Sequence, residues 1–241
     1  MYICDSKNNR IQRWFQNGTT GTTVAGSGAG LDSPMGITMD KNGNLYVADT
    51  KKNRVQRFAP GSTSASTGFI IGNGQLTEPY GVAVDDNLNV YVTDSGNKRV
   101  MRYASGATSG TSVVGSSSDV QAPYGIILRN SSSNQMYVGD RSTKHVQLWT
   151  SGASSATRTV GNGINEPKGI LLDPYQNLYT AGDQDRKIYR TCAGSTTHTT
   201  VIDGTSTSPS LDKTAGIAFD SKLNLYVTSF SPAGVYKFVR I

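Results

Sequence analysis

One segment recurs along the chain, and the distance between its copies limits what the chain can become. It reads Tyr46-Val-Ala-Asp49, a short polar stretch, then Arg54-Val-Gln-Arg-Phe58. The same order runs from Tyr91 to Asp94 and on through Arg99 to Tyr103, and from Tyr137 to Asp140 and on through His145 to Trp149. A weaker copy spans Tyr179 to Arg190, an opening one Tyr2 to Trp14, and a degenerate closing one Tyr226 to Phe238. The leading tyrosines stand 44, 45, 46, 42 and 47 residues apart. A fixed period of this size marks solenoids and propellers, in which each repeat is one supersecondary unit that buries its apolar faces against its neighbours.

A full period holds four short strands. Pro34-Met-Gly36 opens it as a loop, Ile37 to Asp40 alternates, and Lys41 to Asn44 turns the chain. Leu45–Asp49, Arg54–Phe58 and Gly68–Ile71 follow, each closed by turn residues, before Pro79-Tyr-Gly81 restarts the cycle. Runs of this length bounded by Gly, Pro and Asn read as strands, and four of them make one propeller blade. The first strands, such as Val82-Ala-Val84 and Ile170-Leu-Leu172, are apolar on both faces, which predicts an inner strand squeezed between blades. Asn44, Asn89, Asn134, Asn177 and Asn224 recur in the turn after it, where asparagine is expected to accept left-handed backbone.

Six copies of the second and third strands, but five of the first and fourth, predict 22 strands. The reading is a single domain over residues 1–241: an all-β, six-bladed β-propeller, open or imperfectly closed. Five blades plus an extra hairpin is the alternative. Unpaired edges invite pairing, so the parent protein is expected to continue beyond one or both ends.

Pro-x-Gly-(Ile/Val), Asn-(Leu/Val)-Tyr-Val-x-Asp and Asn-(Lys)-Arg-(Val/Ile) together resemble the NHL repeat. The third element stands here as Asn9-Arg10-Ile11, Asn53-Arg54-Val55 and Asn97-Lys98-Arg99-Val100. The resemblance implies a propeller. It leaves open bare binding domains, RNA-binding propellers, sensor domains and a metal-dependent amidating lyase, because fold does not choose function. The pattern loosens toward the C-terminus. His145 and Lys187 replace the repeat arginine, Gly182 stands where Asp is expected with Asp183 one place late, Arg129 replaces a turn aspartate, and Thr214-Ala-Gly216 replaces Pro-x-Gly.

Composition narrows function only a little. Twenty-three Lys and Arg against 17 Asp and Glu give a net charge of +6, which suits an anionic partner without requiring one. Cys4 and Cys192 are too few for a disulfide framework and are expected to be unpaired. No stretch reaches the roughly 20 apolar residues of a membrane span, so no membrane insertion is expected of this segment. No signal peptide is visible. The sequons Asn17-Gly-Thr19 and Asn130-Ser-Ser132 permit glycosylation, and the Ser/Thr/Gly-rich loops lean toward an extracellular location over a cytoplasmic one.

Two groups of residues are candidates for binding. In a propeller the loop before the first strand and the loop between the second and third share one face. That puts Met35, Tyr80, Tyr124 and Lys168 beside Lys52, Arg54, Lys98, Arg99 and Lys144, with Arg141 nearby. Aromatics among cations suit protein or peptide recognition and also stack the bases of single-stranded RNA. Arg10, Arg54 and Arg99 read mainly as structural partners of Asp5, Asp49 and Asp94, because a guanidinium fork fits a carboxylate. The expected function is a non-enzymatic binding or scaffold module for a protein or peptide. RNA or another polyanion is second. A metal-dependent lyase or hydrolase is disfavoured, since His145 and His198 lie in no metal-ligand spacing and Glu78 and Glu166 fall two blades apart. No cofactor or metal is implied.

Overall fold

The computed structural model describes residues 1–15, 18–115, 119–130 and 134–239. Both sequons fall partly on residues outside this set. Among the described residues the secondary structure is 22 strands with four single-turn 3-10 segments, in six antiparallel sheets. Blade 1 is Tyr2–Asp5, Arg10–Arg13 and Thr22–Ala25. Blade 2 is Pro34–Met39, Leu45–Asp49, Arg54–Phe58 and Phe69–Ile71, and blade 3 is Pro79–Val84, Val90–Asp94, Arg99–Tyr103 and Thr111–Gly115. Blade 4 is Pro123–Leu128, Gln135–Asp140, His145–Thr150 and Arg158–Asn162. Blade 5 is Pro167–Leu172, Leu178–Gly182, Lys187–Thr191 and His198–Asp203, and blade 6 is Asp212–Phe219, Leu225–Ser231 and Ala233–Phe238.

The fold is therefore an all-β, six-bladed β-propeller. Blade 1 lacks the first strand and blade 6 the fourth, as the repeat count predicts. The five-blade alternative falls because the opening hairpin gains Thr22–Ala25 and becomes a sheet of its own. Blades 1 to 3 form one compact unit and blades 4 to 6 a second.

The core of each unit lies between its blades. Ile11, Val24, Leu31, Leu45, Val47 and Phe58 fill the seam of blades 1 and 2, and Tyr46, Val55, Ile71, Val82, Val92 and Tyr103 that of blades 2 and 3. In the second unit, Tyr137, Val146, Val160, Ile164 and Leu178 join blades 4 and 5, and Tyr179, Ile188, Leu211, Leu225 and Val227 join blades 5 and 6. A sheet covered on both sides needs apolar residues at successive positions rather than alternate ones. The strand that meets this condition is the second, buried throughout in Leu45–Asp49, Val90–Asp94 and Leu178–Gly182. The first strand is one edge of its sheet and packs against the first strand of the next blade in its unit, as expected of an inner strand; it is almost wholly buried in Pro123–Leu128, while in blade 2 it leaves Met35 and Met39 exposed.

The turn asparagines also work differently from the expectation. The left-handed residue is the one before them, Gly43, Leu88, Gln176 or Leu223. Asn44 instead donates its Nδ2 to Asp40 Oδ2 at 2.8 Å, while Asp40 Oδ1 accepts the backbone N–H groups of Asn42 and Asn44. Asp85 with Asn89, Asp173 with Asn177 and Asp220 with Asn224 repeat the arrangement. An aspartate that collects local donors ties off a tight turn.

Candidate functional site

The Pro-x-Gly segments are bulges inside the first strand, not loops before it. In blade 2, Pro34 pairs with Asp49 and the register then jumps to Ile37 opposite Val47. The same jump occurs at Pro79/Val82, Pro123/Ile126, Pro167/Ile170 and Thr214/Ile217. A bulge re-aims the side chain it carries, so Met35, Tyr80, Tyr124 and Lys168 all leave the regular pleat. The glycine has a packing reason. A Cβ on Gly36 would sit 2.1 Å from the Tyr80 carbonyl oxygen, one on Gly125 2.4 Å from that of Lys168, and one on Gly169 2.3 Å from that of Ala215. Each bulge thus rests directly against the bulge of the following blade in its unit.

The connection between second and third strands ties the repeat together. Arg54 Nε donates to Asp49 Oδ2 at 2.8 Å and Arg99 Nε to Asp94 Oδ2 at 2.7 Å, and both carboxylates are fully buried. Their other carboxylate oxygens accept the backbone N–H groups of Asp32 and Thr77, which lead into the first strand. Arg54 Nη2 reaches the Ala29 carbonyl and Arg99 Nη2 that of Gln75. Two contacts were not read from the sequence. The Thr50 hydroxyl donates to the Pro79 carbonyl of the next blade at 2.7 Å, and the Asn53 side-chain oxygen accepts the N–H of Glu78. Ser6 and Asn9 do the same between blades 1 and 2. The signal was present, since Ser or Thr follows the aspartate at positions 6, 50 and 95.

Arg54 and Arg99 are therefore engaged in the frame, in line with the structural reading of the Asp–Arg pairs. In the first unit Met35 is exposed, Tyr80 is half-buried, and Lys52 and Lys98 lie on the solvent side of their turns. Lys98 holds the left-handed position that Asn53 holds in blade 2.

In the second unit the structure brings two predicted residues together. The Tyr124 ring, 6% exposed, lies 5.1 Å from the Arg141 guanidinium and 5.8 Å from Lys168 Nζ. Arg141 Nη1 also donates to the Tyr124 hydroxyl at 2.9 Å. Lys168 Nζ forms a 2.7 Å bond with Asp183 Oδ2 and lies 3.4 Å from Glu166 Oε2. Burial pushes the Asp183 carboxyl above the usual range, Lys168 pulls it back, and Glu166 pushes it up again. Arg141 and Lys144 are exposed beside this group, with Lys144 in left-handed backbone at φ 60.

The repeat's irregularities acquire physical roles here. His145 stands where Arg would hold the aspartate, and Asp140 instead accepts four backbone N–H groups, from Gln121, Ala122, Ser142 and Thr143. In blade 5 the displaced Asp183 turns to Lys168, and Asp185 takes over the strand-entrance contact by binding the N–H and side-chain amide of Asn165. Among the described residues no three His, Cys, Asp or Glu gather as a metal site, and no helix is long and apolar enough to cross a membrane.

Comparison with known proteins matches the NHL repeat to residues 31–58 and 76–103. No curated protein sequence matches the chain. Among solved structures, a chain of the nidogen/laminin complex superposes with a TM-score of 0.77 at 17% identity, over 95% of this chain and 86% of that one. A streptogramin B lyase gives 0.69 at 13% identity, over 100% and 79%. Virginiamycin B lyase from Staphylococcus aureus gives 0.66 at 16%, over 99% and 80%. At such identities these likenesses concern the fold alone. The chain thus carries NHL repeats in blades 2 and 3 of a six-bladed β-propeller, and the same first-strand bulge runs through the blades that follow.

Proposed function

We propose that this chain is a non-enzymatic binding module that recognises a protein or peptide at the bulge end of its blades, with Arg141, Tyr124 and Lys168 as the anchor. The observation that carries this reading is the exposed Arg141 guanidinium, held in place by the hydroxyl and ring of a nearly buried tyrosine. An arginine fixed in this way loses little side-chain freedom on binding, and Arg and Tyr are the residue types that dominate interface energetics. With Lys168 tied to two carboxylates, Arg141 and Lys144 remain the outward charges, so an acidic side chain on the partner fits best. One solved structure of this fold is itself a protein–protein complex.

RNA or another polyanion is the second reading, favoured by the net charge of +6. It is weakened at this site because cations already lie against the Tyr124 ring that a base would stack on. The lyase reading rests on fold likeness alone.

The experiment is selection of peptides from a displayed library, followed by calorimetry. Arg141→Ala is expected to weaken the selected acidic peptide about 30-fold, the size of a hot-spot loss of roughly 2 kcal/mol, with unfolding unchanged. Unchanged affinity in the variant would overturn the anchor. A steep loss of affinity with added salt, carried equally by single-stranded RNA, would favour the polyanion reading.

A further inference from the structure

At the other end of blade 4 the repeat's charge pattern is inverted. In blades 2, 3 and 6 the turn after the first strand carries an aspartate whose Oδ2 accepts the tyrosine hydroxyl of the second strand: Tyr46 to Asp40 at 3.1 Å, Tyr91 to Asp85 at 3.3 Å, Tyr226 to Asp220 at 3.2 Å. The third-strand residue opposite that tyrosine is a cation, Arg57, Arg102 or Lys237. In blade 4 the aspartate is Arg129 and the residue opposite Tyr137 is Leu148. An acid-and-base pair has become a lone guanidinium beside the same tyrosine.

A second arginine joins it. Arg129, Tyr137, Leu148, Arg158 and Gln176 line one open cleft of about 360 Å³ between blades 4 and 5. Arg129 Nη1 donates to Gln135 Oε1 at 2.7 Å and Arg158 Nη1 to the Gly194 carbonyl at 3.0 Å, both neutral acceptors. Among the described residues neither arginine has a carboxylate within ion-pair distance, whereas Arg10, Arg54 and Arg99 each do. Arg158 Nε is sealed from water and has no acceptor among the described residues. Asp173, the acid of the neighbouring blade-5 turn, is engaged by Tyr175 and Asn177 of its own turn. Two uncompensated guanidiniums at one concave site, each with further donors in a planar fork, call for an oxyanion.

We propose that this cleft is a binding site for a small phosphate monoester, its dianionic phosphate held by Arg129 and Arg158 with the Tyr137 hydroxyl as a third donor. Two positive charges match the phosphate dianion, and the volume leaves room for the esterified group against Leu148. The site stands apart from the bulge end and does not depend on the peptide reading.

The test is titration of the whole chain with phenyl phosphate at constant ionic strength, followed by NMR of the arginine side chains and by calorimetry. Saturable binding is expected, with shifts at Arg129 and Arg158. Arg129→Gln and Arg158→Gln should each weaken it about 10- to 100-fold, as expected for one charge-assisted hydrogen bond. Arg129 is exposed, so its variant is expected to fold, and a thermal unfolding curve checks this. Should Arg158→Gln fail to fold, Arg129→Gln alone decides. No binding at millimolar ligand, binding undiminished in Arg129→Gln, or a preference for succinate over phenyl phosphate would each overturn the proposal.

Discussion

Asp49 shows how much one repeated residue holds. Fully buried, it accepts Arg54 Nε, Gln56 Nε2 and the backbone N–H of Asp32, so the connecting turn, the third strand and the approach to the first strand converge on one carboxylate. Asp49→Ala leaves Arg54 without its charge partner and is expected to cost about 3–5 kcal/mol, the usual loss when one side of a buried pair is removed. Asp5 makes the same pair with Arg10, but their side chains are 26% and 43% exposed. Its replacement by Ala should cost about 1 kcal/mol or less. Urea unfolding of the two variants checks the difference, and equal losses would contradict the role given to burial. Asp220 carries a pH signature. The Asn224 side chain, the backbone N–H groups of Asn224 and Lys222, and the Tyr226 hydroxyl hold its carboxyl at about 2, below the model-compound value of 3.8. A carboxyl depressed in the folded state stabilises it above its unfolded value, and that contribution is lost as pH falls toward the folded one. Wild type should therefore lose more stability than Asp220→Asn between pH 3.8 and about 2, measured by denaturant unfolding across that window. Identical profiles would remove Asp220 from the balance.

Elements explain what the sequence showed and what it hid. Strand number, blade order and the Asp–Arg pairs could be read directly, because period and residue type carry them. The bulge could not: Pro34-Met-Gly36 has the composition of a turn, and only pairing across to Val47 and Asp49 shows that it lies within a strand. The glycine's reason was hidden too, since the atom it avoids belongs to another repeat. At Gly125→Ala the new Cβ meets the Lys168 carbonyl at 2.4 Å and Ile170 Cγ1 at 2.6 Å, and the expected loss is about 1–3 kcal/mol from overpacking. Gly216 holds the same repeat position in blade 6, where the nearest atom to a Cβ would be Thr228 Oγ1 at 3.1 Å. Gly216→Ala should be the milder change. Thermal unfolding separates the two, and a reversed order would mean that the bulges do not rest on one another as described. Arg129 stood out in the sequence as a departure, but its company with Arg158 depends on a fourth strand and a neighbouring turn that no spacing reveals.

The whole molecule distributes these features between two ends of its blades. Residues at the bulge end follow the first-strand irregularity and the connection after Asp140; those at the other end follow the aspartate turns. The sequence grouped Tyr124 with Lys168 and put Arg141 nearby, and these three side chains lie together because the repeat register sets their neighbours. It could not tell that Lys168 is held by Glu166 and Asp183, because Asp183 sits one place out of register. Amide hydrogen exchange of the chain with a selected acidic peptide bound tests the central claim most directly. Protection is predicted at residues 121–125, 140–144 and 165–169, the segments that carry Tyr124, Arg141, Lys144 and Lys168. Protection confined to the opposite turns, around residues 129, 151–157 and 193–197, with the bulge segments unchanged, would contradict it.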